Sequence, residues 1–402
     1  MTASQQSMQS VTILGSTGSV GVNTLDVIAA HPDRYKIFAL SANNNVDLLK
    51  KQCLAIKPAY AVMYDKLAAK QLEADLNNSG IKVLAGLEGL ETIASHEDVD
   101  CVMAAIVGGI GLTPTFAAVQ SGKKVLLANK EALVMAGNLF MQAVADSGTV
   151  LLPIDSEHNA MFQCLPVNSE GKFCNLESEG FSKIVLTGSG GPFLNVAEEE
   201  LTNVTPDEAC AHPNWQMGRK ISVDSATMVN KALELIEACY LFNLDESAIE
   251  IMVHPQSVVH SMVYYRDGSV LAQLGNPDMR TPISYGLAWP ERIHAGVSDL
   301  DLLDISRLEF LAPDESRFPC LRLGREVARI GESAPIIFNA ANELAVAEFL
   351  SGALRFNQIP AIIDAVLQKQ AVTKTESLED VLEEDRKARE LGAGLIKLNA
   401  GL

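Results

Sequence analysis

Along the first 155 positions, short runs of consecutive apolar, largely β-branched residues alternate with longer amphipathic stretches rich in Ala, Leu and Lys. The runs fall at 11–14, 36–41, 60–64, 101–107, 124–127 and 150–154. Strands without polar alternation are covered on both faces, and strands separated by helices run parallel. Residues 1–153 therefore predict an α/β, doubly wound, Rossmann-like domain.

The pattern changes after residue 154. Two apolar runs, 259–265 and 270–274, flank Arg266-Asp267-Gly268-Ser269 and predict an antiparallel hairpin. A further strand is expected at 183–186 and one long helix at 226–242, making 154–289 a central α+β catalytic domain. Residues 290–315 are rich in Asp, Leu and Pro without a period and predict a linker. Helical periods at 320–329, 336–349, 360–369 and 378–391 predict a C-terminal helical bundle over 316–402. Pro335 and Ser377-x-x-Asp380 mark two of its helix starts.

Composition narrows the function. The 402 residues carry 31 basic and 50 acidic side chains, a net charge of −19, which opposes binding to nucleic acid. The first 150 residues account for only −2 of this, so an anionic ligand meets least repulsion there. No apolar run approaches the ~18 residues of a membrane span. The opening MTASQQSMQS lacks the charged and apolar regions of a signal peptide. Seven cysteines (53, 101, 164, 174, 210, 239 and 320), with no C-x-x-C pair, argue against a disulfide framework or a thiolate zinc site. The expected compartment is reducing cytoplasm, with no membrane partner.

The first strand runs into Gly15-Ser16-Thr17-Gly18-Ser19-Val20-Gly21 and then a helical pattern. Glycines let backbone N–H groups approach a pyrophosphate, and a helix N-terminus adds partial positive charge. The alternative is a tight structural turn. The second strand ends in Asn43-Asn44-Asn45. No acid stands there to accept a ribose 2′-hydroxyl, which favours NADP, yet no Arg or Lys stands there either.

The strand at 150–154 ends in Asp155-Ser156-Glu157-His158. Carboxylates two apart in extended chain point the same way and suit a hard divalent cation; a solvated acidic loop fits the same residues. On the helix after Asp224-Ser225, residues Asn230, Glu234 and Glu237 share one face at ~100° per residue, with Lys231 at its edge. That face can supply a third carboxylate to a metal and a Lys, Asn and Ser set to a phosphate; a solvated face would look similar. Thr187-Gly188-Ser189-Gly190-Gly191-Pro192 is either an anion nest or a flexible turn. Residues 209–219, with Trp215 and Met217 among turn formers, predict a mobile lid. His254 and His260 are expected as satisfied strand histidines.

These pieces together resemble the 1-deoxy-D-xylulose-5-phosphate reductoisomerase family. The segments that carry the resemblance are GSTGSVG (15–21), LANKEAL (127–133), PIDSEHNA (153–160), TGSGGPF (187–193), HPNWQMGRKISVDSATMVNKALELIEA (212–238), HPQSVVHSMV (254–263), LGNPDMR (274–280) and NAANELAV (339–346). The resemblance implies that Thr17, Gly18, Ser19, Val20, Asn129, Glu131, Gly218 and Met279 hold NADPH. It implies one divalent cation (Mn²⁺, Mg²⁺ or Co²⁺) on Asp155, Glu157 and Glu234. It places Lys130, Ser156, Ser189, His212, Ser225, Asn230 and Lys231 on the sugar phosphate and Trp215 over it as a lid. Lys130 and the three carboxylates form the implied catalytic set. The family has Gly-Lys-Asn or a similar set where this chain has Asn43, Asn44 and Asn45, so contacts to the cofactor there fall to backbone N–H groups.

The implied reaction begins with the substrate carbonyl and an adjacent hydroxyl held on the cation. A carbon–carbon bond is cleaved and re-formed, and the resulting aldehyde is reduced by NADPH to 2-C-methyl-D-erythritol 4-phosphate, in the non-mevalonate isoprenoid pathway. The family suggests a homodimer. Two readings compete. A metal-dependent aldolase or isomerase would turn over without consuming NADPH, and a nucleotide-sensing regulator would bind without turnover.

Overall fold

The computed structural model describes residues 8–166, 176 and 179–399; Cys174 lies outside them. The N-terminal sheet consists of β1 (Gln9–Leu14), β2 (Tyr35–Ala42), β3 (Tyr60–Met63), β4 (Lys82–Ala85), β5 (Cys101–Ala104), β6 (Lys124–Leu127) and β7 (Leu151–Pro153). Its order is β4-β3-β2-β1-β5-β6-β7, and every pairing is parallel. Connecting helices are α1 (Ser19–Ala29), α2 (Val46–Ile56), α3 (Lys66–Asp75), α4 (Gly86–Ser95), α5 (Leu112–Gln120) and α6 (Lys130–Ser147). The buried Ile13 belongs to the core on one face of the sheet and Leu14 to the core on the other, as apolar strands require. Strand order reverses between β1 and β5, so a crevice opens beyond their carboxyl ends.

Two differences from the expected strands have simple causes. β4 is a four-residue edge strand whose ends are exposed, and its apolar run, Val83-Leu84-Ala85, is too short to stand out. β5 stops at Ala104, and the apolar residues after it leave the sheet as a loop in which Val107 is exposed.

The second sheet has β8 (Phe181–Gly188), β9 (Ile249–Val253), β10 (Val259–Tyr265) and β11 (Val270–Leu274) in the order β11-β10-β8-β9. The expected hairpin is β10–β11, turned at Gly268 with φ 87°. β9, at the opposite edge, alternates buried and exposed over only five residues. Around this sheet lie α7 (Ser156–Cys164), α8 (Pro206–Cys210), α9 (Arg219–Ala226) and α10 (Val229–Phe242).

The single helix expected at 226–242 is instead α9 followed by α10. Thr227 Oγ1 donates back to the carbonyls of Val223 and Asp224, and Met228 takes φ 61°, ending one helix before the next starts.

α11 (Arg280–Ala288) packs against α1. In the following segment α12 (Leu302–Ile305) is short, and Leu311 bridges Val253 of β9, seating this stretch along the second sheet. The chain closes with α13 (Pro319–Ile330), α14 (Ala334–Leu350), α15 (Gln358–Lys369) and α16 (Leu378–Asn399), with α14 against the other three.

α10 is the joint of the molecule. Val229, Ala232, Leu233 and Ile236 pack into the core of the C-terminal helices, whereas Leu235, Ala238 and Leu241 pack into the core beneath the parallel sheet. Its polar face is therefore internal, and charges there need partners. Among the described residues, no helix is long and apolar enough to cross a membrane.

Candidate active site

The glycine turn after β1 is sterically closed to other residues at its first position. Gly15 has φ 85°, and a Cβ would lie 2.7 Å from the Ala105 carbonyl oxygen. The turn is held from β2, where Ser41 Oγ accepts from Gly15 N at 3.0 Å and the Ser41 carbonyl from Ser16 N at 2.8 Å. Thr17 and Gly18 complete the turn, and no side chain caps α1, leaving its first N–H groups free for an anion. Ser19 and Val20 line the principal cleft of the molecule.

That cleft also gathers Lys130, Asp155, Ser156, Glu157, Ser189, His212, Trp215, Gly218, Ser225, Asn230, Lys231, Glu234 and Met279. β7 ends at Pro153, which delivers Asp155 as the N-cap of α7, with Ser156 and Glu157 in its first turn. Lys130 stands at the start of α6, and Glu234 projects from α10. One oxygen from each of Asp155, Glu157 and Glu234 lies within 4.8 Å of the others.

Two ammonium groups interleave with these acids. Lys130 Nζ contacts Asp155 and donates to Glu234 Oε1 at 3.2 Å and to Asn230 Oδ1 at 2.9 Å. Lys231 Nζ bonds Glu157 Oε1 at 2.7 Å and also Glu234 Oε2. Burial works against the charge on Lys130, but Asp155 and Glu234 outweigh it and hold the ammonium well above its usual range. Burial likewise opposes ionisation of Asp155, yet Lys130 and His158 hold it below the ordinary carboxylate range. For Glu234, burial and then Glu157 prevail over both lysines and push it up to about 7. Three carboxylates facing two ammoniums leave a negative deficit, and three converging oxygens fit a hard divalent cation.

His158 and Glu237 lie behind this cluster. His158 Nδ1 is 3.1 Å from Glu237 Oε2, and its Nε2 is 2.9 Å from the Glu234 carbonyl. Both side chains are fully buried. Sequence reasoning placed Glu237 on the polar helix face but gave His158 no role; their pairing appears only once the His158 side chain of α7 reaches α10.

Adjoining these acids, the rest of the cleft lining is neutral to basic. Gly190 and Gly191 have φ 83° and 70°, and Ser189 Oγ accepts from Gly191 N at 3.0 Å. Ser189 Oγ lies 2.8 Å from His212 Nε2. Ser225 and Asn230, on either side of the break between α9 and α10, face the same space, beside Lys231. This grouping of hydroxyls, amide, imidazole and ammonium suits a phosphate.

Over it lie residues 212–218. The N–H groups of Asn214 and Trp215 donate to His212 Nδ1 at 3.2 and 3.0 Å, and the Trp215 ring sits 6.0 Å from that of His260. His260 is a buried β10 residue, as expected, but it faces the cleft. His254, just past β9, is only half-satisfied, against expectation: its Nδ1 lies 2.7 Å from the Glu309 carbonyl and its ring stacks on Phe310, but its buried Nε2 has no hydrogen-bond partner among the described residues.

Several expected cofactor residues lie outside the principal cleft. Asn129 caps α6 through the Ala132 N–H at 2.9 Å and donates to the carbonyls of Gly108 and Ile106, clamping the loop after β5. Glu131 is buried on Lys220 at 2.6 Å, and Lys220 also pairs with Asp224 at 2.8 Å. Asn45 is committed as the N-cap of α2, its Oδ1 accepting from Leu48 N. Asn44 is exposed, and Asn43 lines a separate cleft with Tyr64, Asp65 and Lys66.

Comparison with known proteins agrees with this geometry. The family model for 1-deoxy-D-xylulose 5-phosphate reductoisomerase matches residues 11–137, and two models for C-terminal domains of the same enzyme match 151–242 and 274–391. The 1-deoxy-D-xylulose 5-phosphate reductoisomerase of Stutzerimonas stutzeri is 60% identical over 95% of this chain and 96% of its own. That of Pseudomonas aeruginosa strain UCBPP-PA14 is 57% identical over 98% and 99%. A DOX-P reductoisomerase crystallised with NADPH, fosmidomycin and magnesium superposes with a TM-score of 0.95 at 46% identity, covering 97% of this chain and 99% of that one. The Zymomonas mobilis enzyme in complex with NADPH gives 0.88 at 45% identity, covering 98% and 99%. The chain belongs to the 1-deoxy-D-xylulose 5-phosphate reductoisomerase family.

Proposed function

We infer that the cleft converts 1-deoxy-D-xylulose 5-phosphate to 2-C-methyl-D-erythritol 4-phosphate, using NADPH and one divalent cation. The observation that carries this reading is the union, in one cleft, of a three-carboxylate cluster, a phosphate-type pole and the start of the glycine-turn helix. Relatives crystallised with NADPH, fosmidomycin and magnesium support the same assignment.

Asp155, Glu157 and Glu234 would hold the cation, which supplies Lewis acidity toward the substrate carbonyl and its neighbouring hydroxyl. Ser19, Val20, Gly218 and Met279, with Thr17 and Gly18 in the turn, would hold NADPH, the source of hydride for the rearranged aldehyde. Ser189, His212, Ser225, Asn230 and Lys231 grip the phosphate, so binding energy remote from the reacting carbons orients them. Lys130 Nζ keeps Asp155 ionised and stands beside Glu234, where it can also bond a substrate oxygen. Trp215, on the 209–219 lid, excludes water from the reactive aldehyde.

The working units are 1–153 for cofactor, 154–289 for catalysis, 290–315 as linker and 316–402 as bundle. The enzyme works in the cytoplasm, a reading supported by six free cysteines among the described residues. It works as a homodimer: the edge strand β11 exposes Val270 and Leu271, a surface a second copy would cover.

Purified protein with 1-deoxy-D-xylulose 5-phosphate should oxidise NADPH only when Mg²⁺ or Mn²⁺ is added. Turnover without loss of NADPH absorbance would point to a non-redox isomerase or aldolase, and binding without turnover to a nucleotide sensor.

A further inference from the structure

The missing basic residue at the end of β2 has a structural replacement. Ser41 ties β2 to the glycine turn, and two residues later the Asn43 carbonyl accepts from Asp65 N at 3.0 Å, joining the end of β2 to the end of β3. The next residue, Lys66, opens α3 and lines an open cleft with Asn43, Tyr64 and Gly86. This cleft lies beyond the carboxyl ends of β2 and β3, on the side of the sheet edge away from the principal cleft. In a doubly wound fold the adenosine ribose of a dinucleotide seated on the glycine turn reaches the end of β2.

Two side chains there, those of Asp65 and Asn45, are committed to helix caps. Asp65 Oδ1 is turned back onto its own helix, accepting from Leu67 N at 2.8 Å and Ala68 N at 2.7 Å. Asn45 is spent as the α2 cap. Lys66 is exposed and, among the described residues, has no acid within ion-pair distance. Asn43 likewise makes no side-chain hydrogen bond there. A free ammonium and a free amide thus stand at the ends of β2 and β3, where the ribose 2′ substituent of such a dinucleotide would lie, while the Asp65 carboxylate is occupied.

Resting on the reading of the principal cleft as an NADPH-dependent site, we propose that Lys66, with Asn43 beside it, recognises the 2′-phosphate of the cofactor and sets the preference for NADPH over NADH. The charge that other sequences of this fold place on the β2 loop is here supplied from the turn after β3. Lys66 is a specificity residue and touches no reacting atom.

The test is direct nucleotide binding, without substrate or metal, by calorimetry or by the fluorescence of the reduced nicotinamide. Wild-type protein should prefer NADPH, and added salt should narrow the gap to NADH. Lys66→Gln should weaken NADPH by about tenfold and leave NADH within about twofold, the loss expected for one charge-assisted contact near solvent. Lys66→Glu should weaken NADPH further, and Lys66→Arg should restore it. Lys66→Gln with wild-type affinity for NADPH overturns the proposal alone. Wild-type protein that binds neither nucleotide overturns the reading of the cleft and the proposal with it.

Discussion

Glu343 Oε1 accepts a hydrogen bond from the backbone N–H of Gly109 at 2.9 Å, joining α14 of the C-terminal bundle to the loop after β5. The other carboxylate oxygen accepts from Arg389 of α16 at 2.7 Å. From the opposite side, Asn129 holds the same loop by the Gly108 carbonyl at 3.1 Å. Gly108 has φ 84°, and a Cβ there would lie 2.9 Å from Glu343 Oε1, so the contact requires glycine. The loop in turn packs under Gly15 of the cofactor turn.

A residue more than two hundred positions downstream thus sets one wall of the crevice between β1 and β5. Glu343→Ala should raise the KM for NADPH by about tenfold, a loss of the size expected for one buried, charge-assisted hydrogen bond. The kcat should fall by less than about threefold. Steady-state kinetics with varied NADPH check the split; a fall in kcat alone would place Glu343 in a different role.

Glu234 separates metal from cofactor chemistry. It is fully buried and reached by Lys130, Lys231 and Asn230, none of which touches the glycine turn. Glu234→Gln keeps the shape and removes one anionic ligand. Turnover should drop by more than about a hundredfold, as loss of a metal ligand commonly costs at least what loss of a ligand's support does. Affinity for NADPH, read by nicotinamide fluorescence, should stay within about twofold. A parallel loss of NADPH binding would mean that the two sites are not independent.

Gly191 offers a test of the phosphate pole. Its φ is 70°, and an added Cβ would meet the Ser225 carbonyl oxygen at 2.9 Å and Ala226 Cα at 3.1 Å. Both obstacles are backbone of α9 and cannot swing aside. Gly191→Ala should cost about 1–3 kcal/mol of stability. It should also raise the KM for the sugar phosphate, because Ser225 is what must move. Urea unfolding and kinetics on one preparation report both effects; a destabilised protein with unchanged substrate KM would remove Ser225 from the pole.

Local signals made the parallel domain and the hairpin readable from sequence. β1 ends in Ile13-Leu14 and β2 carries Ile37-Phe38-Ala39-Leu40 without polar alternation because both faces are covered, and Asp267-Gly268 carries its own turn geometry. The glycine turn and the polar face of α10 were likewise visible, since each is a spacing within one element, whereas Asp155 and Glu157, read as extended chain, stand instead at the N-cap and in the first turn of α7. What escaped were relations between elements. β4 and β9 are edge strands of only four and five residues, too short for a period to stand out. The break at Met228 depends on Thr227 bonding backward. The pairing of His158 with Glu237 requires a side chain of α7 to reach α10, and Lys66 beside Asn43 requires β2 and β3 to be neighbours. No periodicity in the chain encodes these meetings.

His212 should make the lid acid-labile. Its Nδ1 accepts from two backbone N–H groups, those of Asn214 and Trp215, so this nitrogen carries no proton and Nε2–H donates to Ser189 Oγ. A proton on Nδ1 would abolish both lid bonds. Burial lowers the imidazole to about 4; Glu157 pulls the other way, and Lys231 adds to the lowering. An unfolded chain has its histidines near pH 6.5. Between these values the unfolded state binds a proton that the folded state refuses, so stability rises with pH. The contribution is fully present above about pH 6.5 and is lost as pH falls toward 4. His212→Asn keeps an acceptor close to the position of Nδ1 without a titrating group. The melting temperature of wild-type protein should therefore fall more steeply from pH 6.5 to 4 than that of the variant, and the fluorescence of Trp215 should change over the same interval. Parallel melting curves for the two proteins across that window would show that the lid turn does not depend on a neutral imidazole.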